Sequence, residues 1–211
     1  MVRVKICGLT NLEDARWAWQ AGADLLGFIF VPASPRCISP AQAAAIIKAL
    51  RREGCRALCV GVFADAPASD VEEIADHCKL DLVQLHGAEP PAYAQGLGRP
   101  IIRAHRVRGP VPWEELLAYD AWAYLLDSFH PQSAGGTGQR WAWDELDISA
   151  VPPARLIIAG GLTPDNVVDA VRRLRPWGVD VSSGVESRPG QKDPVRVRDF
   201  ILRAKAVRMG G

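Results

Sequence analysis

Short runs of β-forming residues recur along the chain, and each is followed by a segment with helical spacing of its apolar positions. The pattern predicts eight strands, at residues 2–6, 24–31, 57–63, 81–85, 101–105, 122–126, 155–159 and 178–182. Caps or first-turn prolines predict the helix starts between them, at Asn11, Ser39-Pro40, Ser69-Asp70, Thr163-Pro164 and Asp193-Pro194. The chain therefore alternates strand and helix throughout.

This alternation favours the α/β class and a single (β/α)₈ barrel as one domain over residues 1–211. Each unit has about 26 residues, and no linker or low-complexity segment separates the units. A doubly wound open sheet is the alternative. That fold needs only six or seven strands, and no Gly-x-Gly-x-x-Gly turn follows the first strand here.

Composition limits the partners. With 48% hydrophobic and 23% charged residues and a formal charge of +1, the chain has no general attraction for nucleic acid or for an anionic membrane. Its apolar stretches are too short to span a bilayer, and its start does not resemble a signal peptide. Five cysteines without paired spacing suit reduced thiols, so we expect a cytoplasmic protein. Cys55 and Cys59 lack the further ligands of a zinc set, and we expect no metal.

In a (β/α)₈ barrel the active site lies where the strands end. The unusual residues of this chain fall at those ends, and we expect them on one rim: Cys7, Arg36, Gln84, His86, Asp127, Gly160, Gly161, Ser182, Ser183 and Gly184.

The first strand carries a cation and a thiol on one face. Lys5 and Cys7 alternate with Val4 and Ile6, so packing of the apolar face turns both polar groups towards a common space. The charge of Lys5 is expected to favour the thiolate and to bring the pKa of Cys7 closer to neutrality. The alternative is that Cys7 is a small buried apolar side chain.

Asp127 is expected to point inward with Leu125, where a partly desolvated carboxyl can serve as a general acid or merely cap a loop. Arg36 could hold a substrate carboxylate or lie in solvent. Gln84 and His86 share a face and could line the pocket, although a structural histidine fits equally well.

Two glycine-containing turns follow the last two strands. Backbone N–H groups at Gly160-Gly161 and Ser183-Gly184 could approach a phosphate closely, as loops after strands seven and eight often do in barrels. Both could also be plain tight turns. The loop at 135–138, which includes Gly136, is flexible enough to cover a ligand or to lie idle on the surface.

Taken together, these segments closely resemble the phosphoribosylanthranilate isomerase family of tryptophan biosynthesis, over essentially the whole chain. The similar motifs are Lys5-Ile6-Cys7-Gly8, Ser34-Pro35-Arg36, Val60-Gly61-Val62-Phe63, Val83-Gln84-Leu85-His86-Gly87, Leu126-Asp127-Ser128, Gly135-Gly136-Thr137-Gly138, Ala159-Gly160-Gly161-Leu162 and the run from Val179 to Glu186. The resemblance implies a cofactor-free Amadori rearrangement of a small phosphosugar substrate, by a monomer or homodimer.

It also implies residue roles. Asp127 would protonate the furanose ring oxygen, Cys7 would remove the C2′ proton, and Arg36 would hold the anthranilate carboxylate. The turns after strands seven and eight would hold the phosphate, with Lys5, Gln84, His86, Gly136 and Ser182 as further substrate-binding residues. One alternative is the histidine-pathway isomerase, which has an aspartate at the position of Cys7 and a glycine-rich phosphate loop after strand three. The other is a non-catalytic barrel that binds a phosphometabolite or acts as a thiol sensor, with Cys7 as a redox switch.

Overall fold

Eight parallel strands hydrogen-bond in chain order and close into a barrel, because β8 pairs with β1. The computed structural model describes residues 1–107, 109–127 and 155–207. Its strands are β1 Arg3–Ile6, β2 Leu25–Ile29, β3 Leu58–Phe63, β4 Leu82–Leu85, β5 Ile101–Arg106, β6 Ala123–Asp127, β7 Leu156–Ala159 and β8 Gly178–Val181. Every strand overlaps its predicted range, and the barrel prediction is confirmed.

Helices cover the outside of the barrel. They are α1 Leu12–Gln20, α2 Pro40–Arg52, α3 Ala68–Cys78, α4 Pro91–Gln95, α5 Trp113–Leu117, α6 Val167–Leu174 and α7 Pro194–Ala206. After β8 the chain forms a 3₁₀ turn, Ser183–Val185, and an antiparallel hairpin of β9 Glu186–Arg188 and β10 Gln191–Lys192. Within the described ranges, no helix combines the length and apolar character that a membrane span requires.

Side-chain caps explain where three helices begin. Asn11 accepts a hydrogen bond from the Asp14 N–H, Ser39 and Gln42 form a reciprocal capping box, and Asp193 accepts from two N–H groups of α7. The predicted cap at Ser69-Asp70 is wrong. The helix α3 begins at Ala68, because the Pro67 carbonyl already accepts from the N–H groups of Asp70 and Val71.

Strand alternation divides the core into two layers. The inner layer fills the barrel with side chains such as Leu25, Val60 and Leu125, whereas the outer layer packs the strands against the helices. On β1, Val4 and Ile6 belong to the outer layer and are fully buried. Lys5 pairs in register with Leu25 of the inner layer, so its side chain enters the barrel, as the alternation predicts.

Candidate active site

A cavity of about 330 Å³ opens at the carboxyl ends of the barrel strands. Ten of the predicted site residues line it, namely Cys7, Arg36, Gln84, His86, Asp127, Gly160, Gly161, Ser182, Ser183 and Gly184. Two predicted residues are not among them: Gly136 lies outside the described residues, and Lys5 lies below the cavity. The barrel thus brings together side chains and turns from six strands.

Cys7 follows β1, and its thiol fits against a glycine of the neighbouring strand. A Cβ atom at Gly27 would lie 2.8 Å from the Cys7 Sγ, so only glycine leaves room for the sulfur at that position of β2. The Cys7 N–H donates to the Val181 carbonyl at 2.9 Å, which holds β1 against β8 up to the rim. Cys7 remains 6% exposed and lines the cavity.

An ion pair lies beneath the thiol. The Lys5 Nζ donates to the Asp180 Oδ2 at 3.1 Å, and Lys5 is only 1% exposed. Burial would lower the pKa of Lys5, but the negative charges of Asp180 and of a Cys7 thiolate raise it above its ordinary value. Lys5 therefore stays an ammonium ion that acts on Cys7 from below. Contrary to the prediction, it does not line the substrate cavity.

The pKa of Cys7 is shifted in the opposite direction from the prediction. Burial raises the pKa of the thiol, and Asp180 adds to this, while the positive charges of Lys5 and Lys192 oppose the shift without outweighing it. The sequence pattern reveals the cation at residue 5. It does not show how completely the barrel removes both groups from water.

Asp127 ends β6, which β7 and β8 separate from β1 around the barrel. Its Oδ2 lies 3.4 Å from the His86 Nε2, and the His86 Nδ1 lies 3.4 Å from the Gln84 Nε2. His86 thus stands between a carboxyl and an amide within the cavity. Because an imidazole nitrogen can donate or accept a hydrogen bond, His86 can interact with the Asp127 carboxyl.

Arg36 reaches the cavity from the loop after β2 and is held by Glu186. The Arg36 Nε and Nη2 donate to the two carboxylate oxygens of Glu186 at 2.8 and 2.7 Å. Burial would raise the pKa of Glu186, but hydrogen bonds from Arg36 and Lys192 lower it. Gly8, at φ +75°, leaves space for this arginine, since a Cβ there would lie 2.6 Å from the Arg36 Cδ.

The turns after β7 and β8 pack directly on each other. Gly160 and Gly161 have φ values of +86° and +63°, which favour glycine, and a Cβ at Gly184 would collide with the Leu162 carbonyl oxygen. Among the described residues, none accepts a hydrogen bond from the N–H of Gly161, Ser183 or Gly184. These groups suit an anion such as a phosphate.

Unsatisfied polar atoms mark the cavity as a polar binding site. Six buried side-chain nitrogen or oxygen atoms in the described parts of the chain lack a hydrogen-bond partner. Four of them belong to cavity-lining residues, namely the Gln84 Oε1, His86 Nε2, Asp180 Oδ1 and Ser182 Oγ. A ligand with several hydroxyl groups could form hydrogen bonds with these atoms.

Several residues of the site escaped prediction. Arg106 and Asp180 line the cavity, Glu186 binds Arg36, and Lys192 binds Glu186. Asp180 alternates with the buried Val179 and Val181, a signal that could have placed it inside the barrel beside Lys5. Within the described ranges, no three His, Cys, Asp or Glu side chains come together as a metal site would need.

The sequence matches a known protein family along almost its whole length. The family model for N-(5′-phosphoribosyl)anthranilate (PRA) isomerase matches residues 4–203. The chain belongs to this family. A PRA isomerase from Pelobacter propionicus is 48% identical over 208 residues, which cover 99% of this chain and 98% of that protein.

Two solved structures of the PRA isomerase family share the fold. The enzyme from Thermus thermophilus superposes with a TM-score of 0.85 at 40% identity, over 98% of this chain and 100% of that one. A second, in complex with reduced 1-(o-carboxyphenylamino)-1-deoxyribulose 5-phosphate, superposes with a TM-score of 0.82 at 36% identity, over 98% and 100% of the two chains.

Proposed function

We propose that the protein isomerises N-(5-phosphoribosyl)anthranilate to 1-(2-carboxyphenylamino)-1-deoxyribulose 5-phosphate in tryptophan biosynthesis. The observation that carries this proposal is one cavity lined by Cys7, Asp127, the Arg36 side chain and the two glycine-containing turns after β7 and β8. Membership of the PRA isomerase family supports the same activity.

Both ends of this substrate are anionic, and the cavity offers a partner for each. Arg36 would bind the anthranilate carboxylate, and the N–H groups of Gly161, Ser183 and Gly184 would bind the phosphate. The ribose would then lie between Cys7 and Asp127, with its hydroxyl groups near Gln84, Asp180 and Ser182. Fixing both ends orients the reacting carbons and reduces the entropic part of the barrier.

Ring opening would come first. Asp127 in its acid form gives its proton to the ring oxygen, and the C1′–O bond breaks with its electron pair moving to that oxygen. The nitrogen lone pair forms a double bond to C1′, which leaves a cationic Schiff base. His86, 3.4 Å from Asp127, would hold the carboxyl towards the ring and interact with the carboxylate that remains.

Proton abstraction would follow. The cationic nitrogen makes the C2′ proton acidic, and the Cys7 thiolate removes it. The C2′ electron pair forms a C1′=C2′ bond while the π pair of the C1′=N bond returns to nitrogen, which gives an enolamine. Tautomerisation then places a proton on C1′ while the C2′ hydroxyl loses one, which yields the ketone. Electrons balance within the substrate, so the steps use only acid and base groups.

Turnover of freshly prepared phosphoribosylanthranilate tests this function. The anthranilate fluorescence should be lost at a rate proportional to enzyme concentration, and a parallel preparation of Cys7→Ala should show at most about one hundredth of that rate. The variant controls for isomerase from the expression host. Equal rates in the two preparations would contradict the proposed function.

We further propose that the enzyme works in the cytoplasm as a monomer or homodimer. All five cysteines are free thiols, and four of them are buried, which suits a reducing compartment.

A further inference from the structure

We propose that Glu186 is a positioning residue that presents one edge of the Arg36 guanidinium to the substrate and thereby sets the preference for a carboxylate. This inference rests on the proposed function, in which Arg36 binds the anthranilate carboxylate.

A guanidinium has two edges that can bind a carboxylate through paired N–H bonds. Glu186 occupies the edge formed by Nε and Nη2, at 2.8 and 2.7 Å. The second edge, formed by Nη1 and the other Nη2 hydrogen, makes no hydrogen bond within the described residues. Because Arg36 lines the cavity, that edge is available to a substrate carboxylate with the same paired geometry.

Lys192 supplies a positive charge that offsets the negative charge of Glu186 beside Arg36. An arginine paired with one carboxylate is neutral overall and attracts a further anion weakly. Here the Lys192 Nζ also donates to the Glu186 Oε1, at 2.9 Å, and the Lys192 side chain is fully buried. The three groups together keep a net charge of +1, so Arg36 retains its attraction for a carboxylate while its position is fixed.

The backbone around Glu186 is anchored independently of the loop that carries Arg36. The Glu186 carbonyl accepts from the Arg196 Nη1 of α7 at 3.0 Å, and the Lys192 N–H donates to the Asp14 Oδ2 of α1 at 2.7 Å. The hairpin of β9 and β10 is therefore tied to two helices. Without this anchored carboxylate, the long Arg36 side chain would regain its rotamer freedom, and the loss of that freedom on binding would oppose binding of the substrate carboxylate.

The test compares a ligand that has the carboxylate with one that lacks it. The first is the reduced product analogue, and the second is its counterpart with phenylamino in place of carboxyphenylamino. Affinities of both are measured by calorimetry for the parent, Glu186→Gln, Arg36→Met and the double variant. Glu186→Asp is included because it keeps the charge beside Lys192 but is too short to reach both nitrogens of Arg36. Glu53→Gln, which removes the exposed ion pair with Arg16, is the matched control.

Glu186→Gln should weaken binding of the carboxylate ligand by about tenfold or more and change binding of the other ligand by less than about threefold. Glu186→Asp should likewise weaken binding of the carboxylate ligand and leave binding of the other ligand nearly unchanged. Because it keeps the negative charge beside Lys192, Glu186→Asp provides the test in the event that Glu186→Gln does not fold. In the Arg36→Met background, replacing Glu186 should have no further effect, because Glu186 acts only through Arg36. The control Glu53→Gln should match the parent.

Equal weakening of both ligands, or additive effects in the double variant, would overturn the positioning role. A different result would show that Arg36 does not bind the substrate carboxylate. In that case Arg36→Met itself would bind both ligands as the parent does, while turnover of phosphoribosylanthranilate by the parent would still report on the proposed function.

Discussion

The charges around Cys7 and its burial set the pKa of the thiol that is proposed to act as the base. Lys5 and Lys192 favour the thiolate, and Asp180 and burial oppose it, with burial the largest influence. The pKa of the thiol therefore lies above its ordinary value, and free enzyme at neutral pH holds this proton on sulfur. The productive form needs the thiolate together with the acid form of Asp127, so one proton is shared between the two groups.

This sharing predicts a pH profile. Because the pKa of the Cys7 thiol is raised, kcat/KM should be nearly constant around neutral pH and should fall only at pH values above the ordinary pKa of a thiol, about 8.5, when Cys7 loses the shared proton. Cys7→Asp should move that alkaline inflection down by several pH units. Initial rates from pH 6 to 10 measure the profile, and an inflection below about pH 8, or one that Cys7→Asp leaves in place, would contradict the assignment.

Among the elements, the turns after β7 and β8 depend most directly on single residues. A bare Cβ at Gly184 would collide with the Leu162 carbonyl oxygen, so even Gly184→Ala must separate the two turns. Binding of inorganic phosphate and of substrate should weaken together, by about tenfold or more, since strain of this kind costs about 1–3 kcal/mol.

Titration with phosphate and the substrate KM measure the two effects, after circular dichroism has shown that the variant is folded. Gly98→Ala is the matched control, because a Cβ there would make only ordinary contacts, at 3.8 Å or more. If folded Gly184→Ala bound phosphate as the parent does, the anion site would lie elsewhere on the rim.

The elements also show what sequence can and cannot predict. Short runs of β-forming residues found all eight strands, because the strands of a closed parallel sheet are buried on both faces and read as nearly continuous apolar runs. Strand ends then placed Cys7, Gln84 and Asp127 correctly on one rim. The pairing of Glu186 with Arg36, and the part of Lys192 in it, were missed because they depend on a hairpin that meets a loop 150 residues earlier in the chain. The sign of the Cys7 pKa shift depends on burial, which pattern alone does not measure.

At the scale of the whole molecule, burial of thiols predicts a loss of stability in alkali. Cys59 is fully buried in the outer layer of the core, and burial raises its pKa to about 12. The folded protein therefore keeps this proton above pH 8.5, where the unfolded chain loses it. Stability is complete below the unfolded pKa and falls as pH rises towards the folded one, by about 2 kcal/mol for Cys59 at pH 10.

Urea unfolding at pH 7.5 and pH 10 measures this loss. Cys59→Ala should be less stable than the parent at pH 7.5 because it leaves a small cavity, yet it should lose less stability between the two pH values. Cys37→Ala, at the exposed cysteine, should lose as much as the parent. An identical loss in parent and Cys59→Ala would show that this thiol does not contribute.

The central claim is that Cys7 and Asp127 move protons on a substrate that other groups bind. The most direct measurement determines, for Cys7→Ala and for Asp127→Asn, both the kcat and the affinity for the reduced product analogue. We expect kcat to fall by at least about 10² in each variant while the affinity stays within about tenfold of the parent. A near-normal kcat in either variant, or a loss of analogue binding that matches the loss of rate, would contradict it.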